Sequence, residues 1–430
     1  MSKKKVRYYT CKKAIPVLMK FRLSLLKYLI RRKKYPFFTV KSSNGGIIKT
    51  YEMQKKINMT KFVKYHGHYY FSLTFPHWPS DAFDNMVSNG GLNITASGTR
   101  YKKQVDTLIL GLTGRCRYNC IHCYEYFNLN NSNEVPMVKW KDIIKKIQRS
   151  GVSIITFSGG EPMMRYDDLL ELLKTADHSL SDFHIHTSGY DVTYDKAKEL
   201  KCAGLNAAGI GLDDVNPERN DIFRGYKGAH EQAVKAIKCF QDAGIFTYVN
   251  FCPTSYIIRS REIMKYLDFM KDLNVGIVRW LEPKPCGSFL EAAGSRLLSN
   301  DDKEFLKQLY IRLNTSAEYK DYPLISYEAF MEAPGNLGCM MGGNSLLYID
   351  TAGNVEPCVF MPVTFGNIME EDIIVILERI KKAVPKPLHI TCPSILLNQA
   401  FKSKVANGTK PPIPYNELIR EFSELDDISV

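Results

Sequence analysis

Three cysteines stand within eight residues, Cys116-Arg-Tyr-Asn-Cys120-Ile-His-Cys123, so the spacing C-x3-C-x2-C puts three thiols in one short loop. Three thiolates together suit an iron–sulfur cluster, whose irons take thiolate-type ligands. A four-iron cube held by three cysteines keeps one iron open to an outside ligand. A structural zinc ion normally takes four protein ligands. His122 could supply the fourth, but its place between two cysteines gives it poor reach. Further along stands Ser158-Gly159-Gly160-Glu161-Pro162. The two glycines allow close backbone approach to a bound ligand, and Glu161 offers a carboxylate to an ammonium group. A third set lies late in the chain: Cys339, then Gly353, Cys358, Gly366-Asn367-Ile368 and Cys392.

The elements that must position these residues follow a regular alternation. Strand-like runs stand near 107–112, 152–157, 183–187, 208–212, 245–251 and 276–281. Helical patterns fill most gaps, at Trp140–Arg149, Asp167–Thr175, Tyr194–Cys202, His230–Ala243 and Ser260–Leu273. Six β–α repeats argue for an α/β fold, a partial (β/α)6 barrel of parallel strands resembling a TIM barrel. Chemistry in such barrels sits at the C-terminal ends of the strands. Both the cysteine loop and the Gly-Gly-Glu-Pro turn fall there. Four segments follow: a basic amphipathic segment 1–50, a β and aromatic extension with linker 51–104, the barrel 105–284, and a small α+β module 285–430. That last module carries a helix near 301–314, two strands around Thr351-Ala352-Gly353 and a helix near 370–382.

The motifs resemble the radical S-adenosylmethionine (SAM) superfamily. Cys116-x3-Cys120-x2-Cys123-Tyr124 after the first strand and Ser158-Gly159-Gly160-Glu161-Pro162 after the second carry the resemblance over about 105–285. It implies a [4Fe–4S] cluster on Cys116, Cys120 and Cys123, with SAM chelating the open iron and Gly159, Gly160, Glu161 and Pro162 placing it. Reductive cleavage of SAM would then give a 5′-deoxyadenosyl radical that abstracts hydrogen from a substrate. The activity implied is that of an oxidoreductase or maturase, fed electrons by a carrier such as flavodoxin or ferredoxin. Thr187-Ser188-Gly189 and Gly211-Leu212-Asp213-Asp214 resemble further turns of the family, making Ser188 and Asp213 candidate SAM contacts. Arg224 and Asn250 are weaker ones. Gly211 stands where relatives carry serine, and Asp214 where they carry glycine.

Cys339, Cys358 and Cys392 resemble the auxiliary-cluster module called SPASM or its shorter form, twitch. Three cysteines after residue 300, against about seven in the full pattern, imply one auxiliary cluster. Its fourth ligand would be Cys286, another side chain or substrate. The resemblance implies a peptide, a protein side chain or a small molecule as substrate, the peptide first. A lipid or membrane-associated small molecule is the second reading, and an iron–sulfur electron carrier without SAM cleavage is the rival of another class. No residue is assigned as a general acid, base or nucleophile. Cys202 and Cys239 read as buried packing residues, as Cys252 and Cys286 do in the first instance.

Composition bounds these readings. The chain has 430 residues, 45% apolar and 24% charged, which excludes wholesale disorder and a small disulfide scaffold. Eleven cysteines in clusters point to metal chemistry in a reduced compartment, the cytoplasm. The net charge of +13 is local. Fifteen of the 58 Lys/Arg stand in residues 1–51, without one Asp or Glu, leaving 43 basic against 45 acidic residues elsewhere. A helix over roughly 16–33 would carry apolar residues on one wide face and Lys/Arg on the rest. The readings are a helix on an anionic membrane surface, placing the chain on the inner face of the membrane, or one packed on the barrel. Nucleic acid is disfavoured, since the body offers no basic face. The stretch Phe75-Pro-His-Trp-Pro79 reads as aromatic packing.

Overall fold

The computed structural model describes residues 6–10, 13–21, 61–88, 105–131, 134–290 and 296–428. Strands β1 (Arg7–Tyr9), β2 (Phe62–Tyr65) and β3 (His68–Tyr70) form a small antiparallel sheet. The turn between β2 and β3 places His66 at φ 47° and Gly67 at φ 91°. Positive φ at both central residues matches the right-handed twist of the flanking strands.

The main sheet contains the expected parallel strands: β4 (Thr107–Thr113), β5 (Ile154–Gly159), β6 (Asp182–Thr187), β7 (Leu205–Gly211), β8 (Phe246–Phe251) and β9 (Ile277–Trp280). Three more strands extend it. Strand β10 (Leu324–Tyr327) pairs parallel with β9, β11 (Leu346–Ile349) pairs parallel with β4, and β12 (Val355–Glu356) lies antiparallel beyond β11. Nine strands thus run in the order β10-β9-β8-β7-β6-β5-β4-β11-β12, an open partial barrel. Every residue of β4 is buried, as expected of parallel strands covered on both faces. The helices between strands turn one stripe inward. In Met137–Arg149, Trp140, Ile143, Ile144 and Ile147 are buried, at spacings of three and four.

The N-terminal sheet closes the bottom of the barrel. Val63, Tyr65 and Tyr70 cluster with Phe246, Ile277 and Leu324, the first residues of β8, β9 and β10. Tyr70 stacks on Phe246 with centroids 3.7 Å apart and planes 5° apart. His77 Nδ1 lies 2.6 Å from Asp182 Oδ2 at the start of β6. The opposite end, where the strands finish, carries a cavity.

The N-terminal helix is present over residues 14–21, and the rest of the expected span lies outside the described residues. Its stripe Ala14, Val17 and Phe21 is buried against Phe62, Phe71, Trp78, Phe83 and Met86. A helix bound to a membrane surface needs that stripe free. Here it packs on the protein, the alternative left open by the sequence. Trp78 meets Phe21 edge to face at 5.4 Å, so the 75–79 segment is packing, as read. Among the described residues no helix is long and apolar enough to cross a membrane.

Candidate active site

The cysteine loop leaves the end of β4 and is held from two sides. Asn130 Oδ1 accepts the Cys116 N–H at 3.1 Å, and the Asn130 amide donates back to the Cys116 carbonyl. On the other side stands a helix, Pro217–Arg224. The Ile121 N–H donates to the Phe223 carbonyl, the His122 ring stacks on Phe223 at 4.5 Å, and Tyr118 stacks on Tyr226 at 4.4 Å. Gly225 ends this helix at φ 59°, and a Cβ there would lie 2.2 Å from the Asn119 carbonyl oxygen. The sequence reading missed this helix. Its signal was present in Asn216-Pro217 at the start and Gly225 at the end, the cap residues of a short helix.

Cys116, Cys120 and Cys123 line a cavity of about 240 Å³ together with Gly159, Gly160, Ser188, Gly211 and Asp213. Seven parallel strand ends and the loops beyond them surround it. Burial raises all three thiols, Cys116 to about 12, so metal binding is what would deprotonate them. Burial lowers His122 to about 4, leaving a neutral ring with an unpartnered Nδ1. Among the described residues no three His, Cys, Asp or Glu side chains converge on a single-ion position.

In the Gly-Gly-Glu-Pro turn the two glycines and the carboxylate also make close contacts within the protein. A Cβ on Gly159, at φ 112°, would lie 2.6 Å from the Thr113 carbonyl oxygen, and one on Gly160 would lie 2.5 Å from that of Arg115. The glycines therefore admit the chain running into the cysteine loop, while also facing the cavity. Glu161 is 1% exposed and accepts four hydrogen bonds. Thr187 Oγ1 and the Met163 N–H donate to Oε1, at 2.7 and 3.1 Å. The Ser188 N–H and hydroxyl donate to Oε2, at 2.8 and 2.5 Å. A carboxylate has about four acceptor sites, so Glu161 and Ser188 are occupied with one another. Pro162 is buried and opens the short helix Pro162–Arg165, its fixed φ suited to a first turn.

Asp213 is likewise engaged within the protein. Its Oδ2 accepts from Arg224 Nε at 2.6 Å and its Oδ1 from the Cys252 N–H at 2.8 Å. A Cβ on Gly211 would lie 2.4 Å from the Arg224 guanidinium. Glycine at this position thus makes room for this arginine. Asn250 Oδ1 is buried on the cavity wall without a hydrogen-bond partner. Buried polar atoms are seldom left unmet, so the cavity suits a polar ligand.

Cys339, Cys358 and Cys392 line a second cavity of about 480 Å³. Cys339 is fixed by a two-way backbone bridge to Leu388, Cys358 by a turn closed on Met361, and Cys392 caps the helix Pro393–Leu396. The hairpin β11–β12 turns at Gly353, φ 91°, and Asp350 Oδ1 accepts the N–H groups of Ala352 and Asn354 there. Gly366 and Ile368 bond back to Val355 and Gly353. The two cavities share a wall of Glu282, Lys284, Glu328, Glu332, Cys358 and Phe360. Cys252 and Cys286 are buried on the first cavity. Cys239 is half-buried against the core, whereas Cys202, read as buried, is exposed at the end of its helix.

Comparison with known proteins agrees with this geometry. Residues 110–271 match the family model described as Radical SAM superfamily. Fe-coproporphyrin III synthase of Methanosarcina barkeri is 31% identical over 203 residues, 46% of this chain and 48% of that protein. The chain thus spans about half the length of that relative. PqqA peptide cyclase of Gluconobacter oxydans is 26% identical over 274 residues, 61% of this chain and 74% of that protein. The crystal structure of Streptococcus suis SuiB bound to precursor peptide SuiA superposes with a TM-score of 0.52 at 16% identity. It covers 69% of this chain and 67% of SuiB, a likeness of fold.

Proposed function

Because this chain is an enzyme of the Radical SAM superfamily, matched over residues 110–271, we propose that it modifies a peptide or protein side chain. In this reading Cys116, Cys120 and Cys123 hold the cluster at which SAM is cleaved. That chemistry supplies a 5′-deoxyadenosyl radical for hydrogen abstraction, the protein supplying position and a dry site. Gly159, Gly160, Ser188 and Asp213 shape the wall on which SAM lies, and Asn250 offers it an acceptor. Glu161 and Pro162 hold that wall in place. Cys339, Cys358 and Cys392, in the module 285–430, bind one auxiliary iron–sulfur cluster. A small carrier such as flavodoxin or ferredoxin delivers the electron in the cytoplasm. The supporting observation is the convergence of three thiols, four strand-end turns and an unmet acceptor on one cavity at the end of the barrel where the strands finish.

The peptide substrate is supported by the likeness to PqqA peptide cyclase. A tetrapyrrole is the second reading, favoured by the likeness to Fe-coproporphyrin III synthase. A membrane-surface role loses the face Ala14, Val17 and Phe21, which is buried in the protein, while Ile15 and Met19 of the same helix stay exposed.

The test is anaerobic reconstitution with iron and sulfide, then dithionite and SAM, with 5′-deoxyadenosine quantified against a Cys116/Cys120/Cys123→Ala triple variant. Deoxyadenosine from the parent alone is the expected result. Verified clusters with no SAM binding by titration would instead favour an electron carrier. Adding a peptide library or an iron porphyrin then separates the two substrates by which one raises deoxyadenosine yield.

A further inference from the structure

We propose that Cys286 is the fourth thiolate of the auxiliary cluster. The inference rests on the reading that Cys339, Cys358 and Cys392 hold that cluster, and supplies the ligand those three lack.

Cys286 lies in the loop after β9, far from the other three in sequence and 5% exposed. Among the ionisable groups around its buried thiol, Cys358 and Cys392 come first and Cys123 next, ahead of Glu356. It lines the first cavity beside Cys358, and Cys358 also lines the second. Cys286 therefore stands at the seam between the cavities. The other cysteines outside the two ligand sets have different surroundings. Cys252, on the wall of the first cavity, has Asp213, Arg224, Glu282 and Lys284 as its nearest charged groups and does not line the second cavity. Cys239 feels only Lys235 and Asp242, Cys202 is exposed, and Cys11 lies outside the described residues.

The backbone around Cys286 is mounted for a fixed ligand. Gly287 has φ 52°, and a Cβ there would lie 2.1 Å from the Cys123 carbonyl oxygen. The Ser288 N–H donates to that same carbonyl at 2.9 Å, and its hydroxyl donates to the Ile121 carbonyl at 2.7 Å. The Phe289 N–H closes the turn on the Cys286 carbonyl at 2.9 Å. Metal sites need ligands held by rigid surroundings, and the chain that follows Cys286 is tied to the neighbouring cysteine loop. Glu332 stands near Cys339 and Cys358 as a carboxylate rival. The irons of such clusters take thiolates, and Cys286 supplies one at the same seam.

The experiment uses the reconstituted full chain and controlled oxidation, read by electron paramagnetic resonance and Mössbauer spectroscopy. A cube with only three protein thiolates sheds its unprotected iron and becomes a three-iron cluster. One with four resists. Wild type without SAM should yield roughly one three-iron cluster per chain, from the first site, and almost none once SAM covers that iron. Cys286→Ser and Cys286→Ala should each raise the SAM-resistant three-iron signal to roughly one per chain. The SAM-sensitive signal, unchanged in both, shows that the barrel has folded. A SAM-resistant three-iron signal in wild type overturns the proposal without any variant. So does a wild-type response from both Cys286 variants, or a Glu332→Gln variant that alone produces the signal. The underlying reading fails separately. It falls if Cys339→Ala with Cys358→Ala leaves iron at about 8 atoms per chain instead of about 4.

Discussion

Gly211 and Arg224 make one unit, in which the glycine leaves the space that the guanidinium fills and the guanidinium pairs with Asp213. In Gly211→Ala the new Cβ would stand 2.4 to 2.6 Å from the guanidinium. The arginine side chain could move, but only by leaving its buried carboxylate. We expect Gly211→Ala to cost about 1–3 kcal/mol in urea unfolding, the range for an overpacked core. Asp213 also fixes the Cys252 N–H at the cavity, so SAM affinity should fall roughly tenfold for each 1.4 kcal/mol that reaches the site. Unchanged stability and SAM titration would sink this account. At this scale the cysteines were legible because chemistry sets both their identity and their spacing. The roles of Gly159, Gly160, Glu161 and Asp213 were not. Their partners are Thr113, Arg115, Ser188 and Arg224, which only the fold brings alongside.

The N-terminal helix shows what pattern can reveal about an element. Its apolar stripe was readable at helical spacing, but a stripe does not say what covers it. Phe21 meets Phe71, Trp78 and Phe83 at centroid distances of 5.2 to 5.5 Å. Phe21→Ala should therefore cost about 3–5 kcal/mol, as for other large-to-small core changes, read by denaturant unfolding. If residue 21 served a membrane instead, the variant would lose binding to anionic vesicles while keeping its stability. The barrel strands and most of their helices were legible because burial on both faces produces long apolar runs, and one-sided burial produces stripes. Strand β10, with four residues, lacked the length to show a period, and helix Pro217–Arg224 buries only Asn220.

On the scale of the whole molecule, the chain after residue 284 adds strands to the sheet at both edges. β10 covers β9 and β11 covers β4. A fragment 105–284 would leave the edges of β4 and β9 unpaired, the arrangement from which sheets associate edge to edge. Light scattering should show that fragment self-associating at concentrations where the full chain stays monodisperse. A monodisperse fragment would mean the edges are protected some other way. The same pairing sets a timetable during synthesis. The partner of β4 is made well over two hundred residues after β4 itself, which at about 5–20 residues per second is on the order of ten seconds or more. Throughout that interval the first cysteine loop is already made while the hairpin that flanks it does not yet exist. If Cys116, Cys120 and Cys123 take a cluster, iron and sulfide thus have a ribosome-bound interval in which to meet them before β11 pairs with β4.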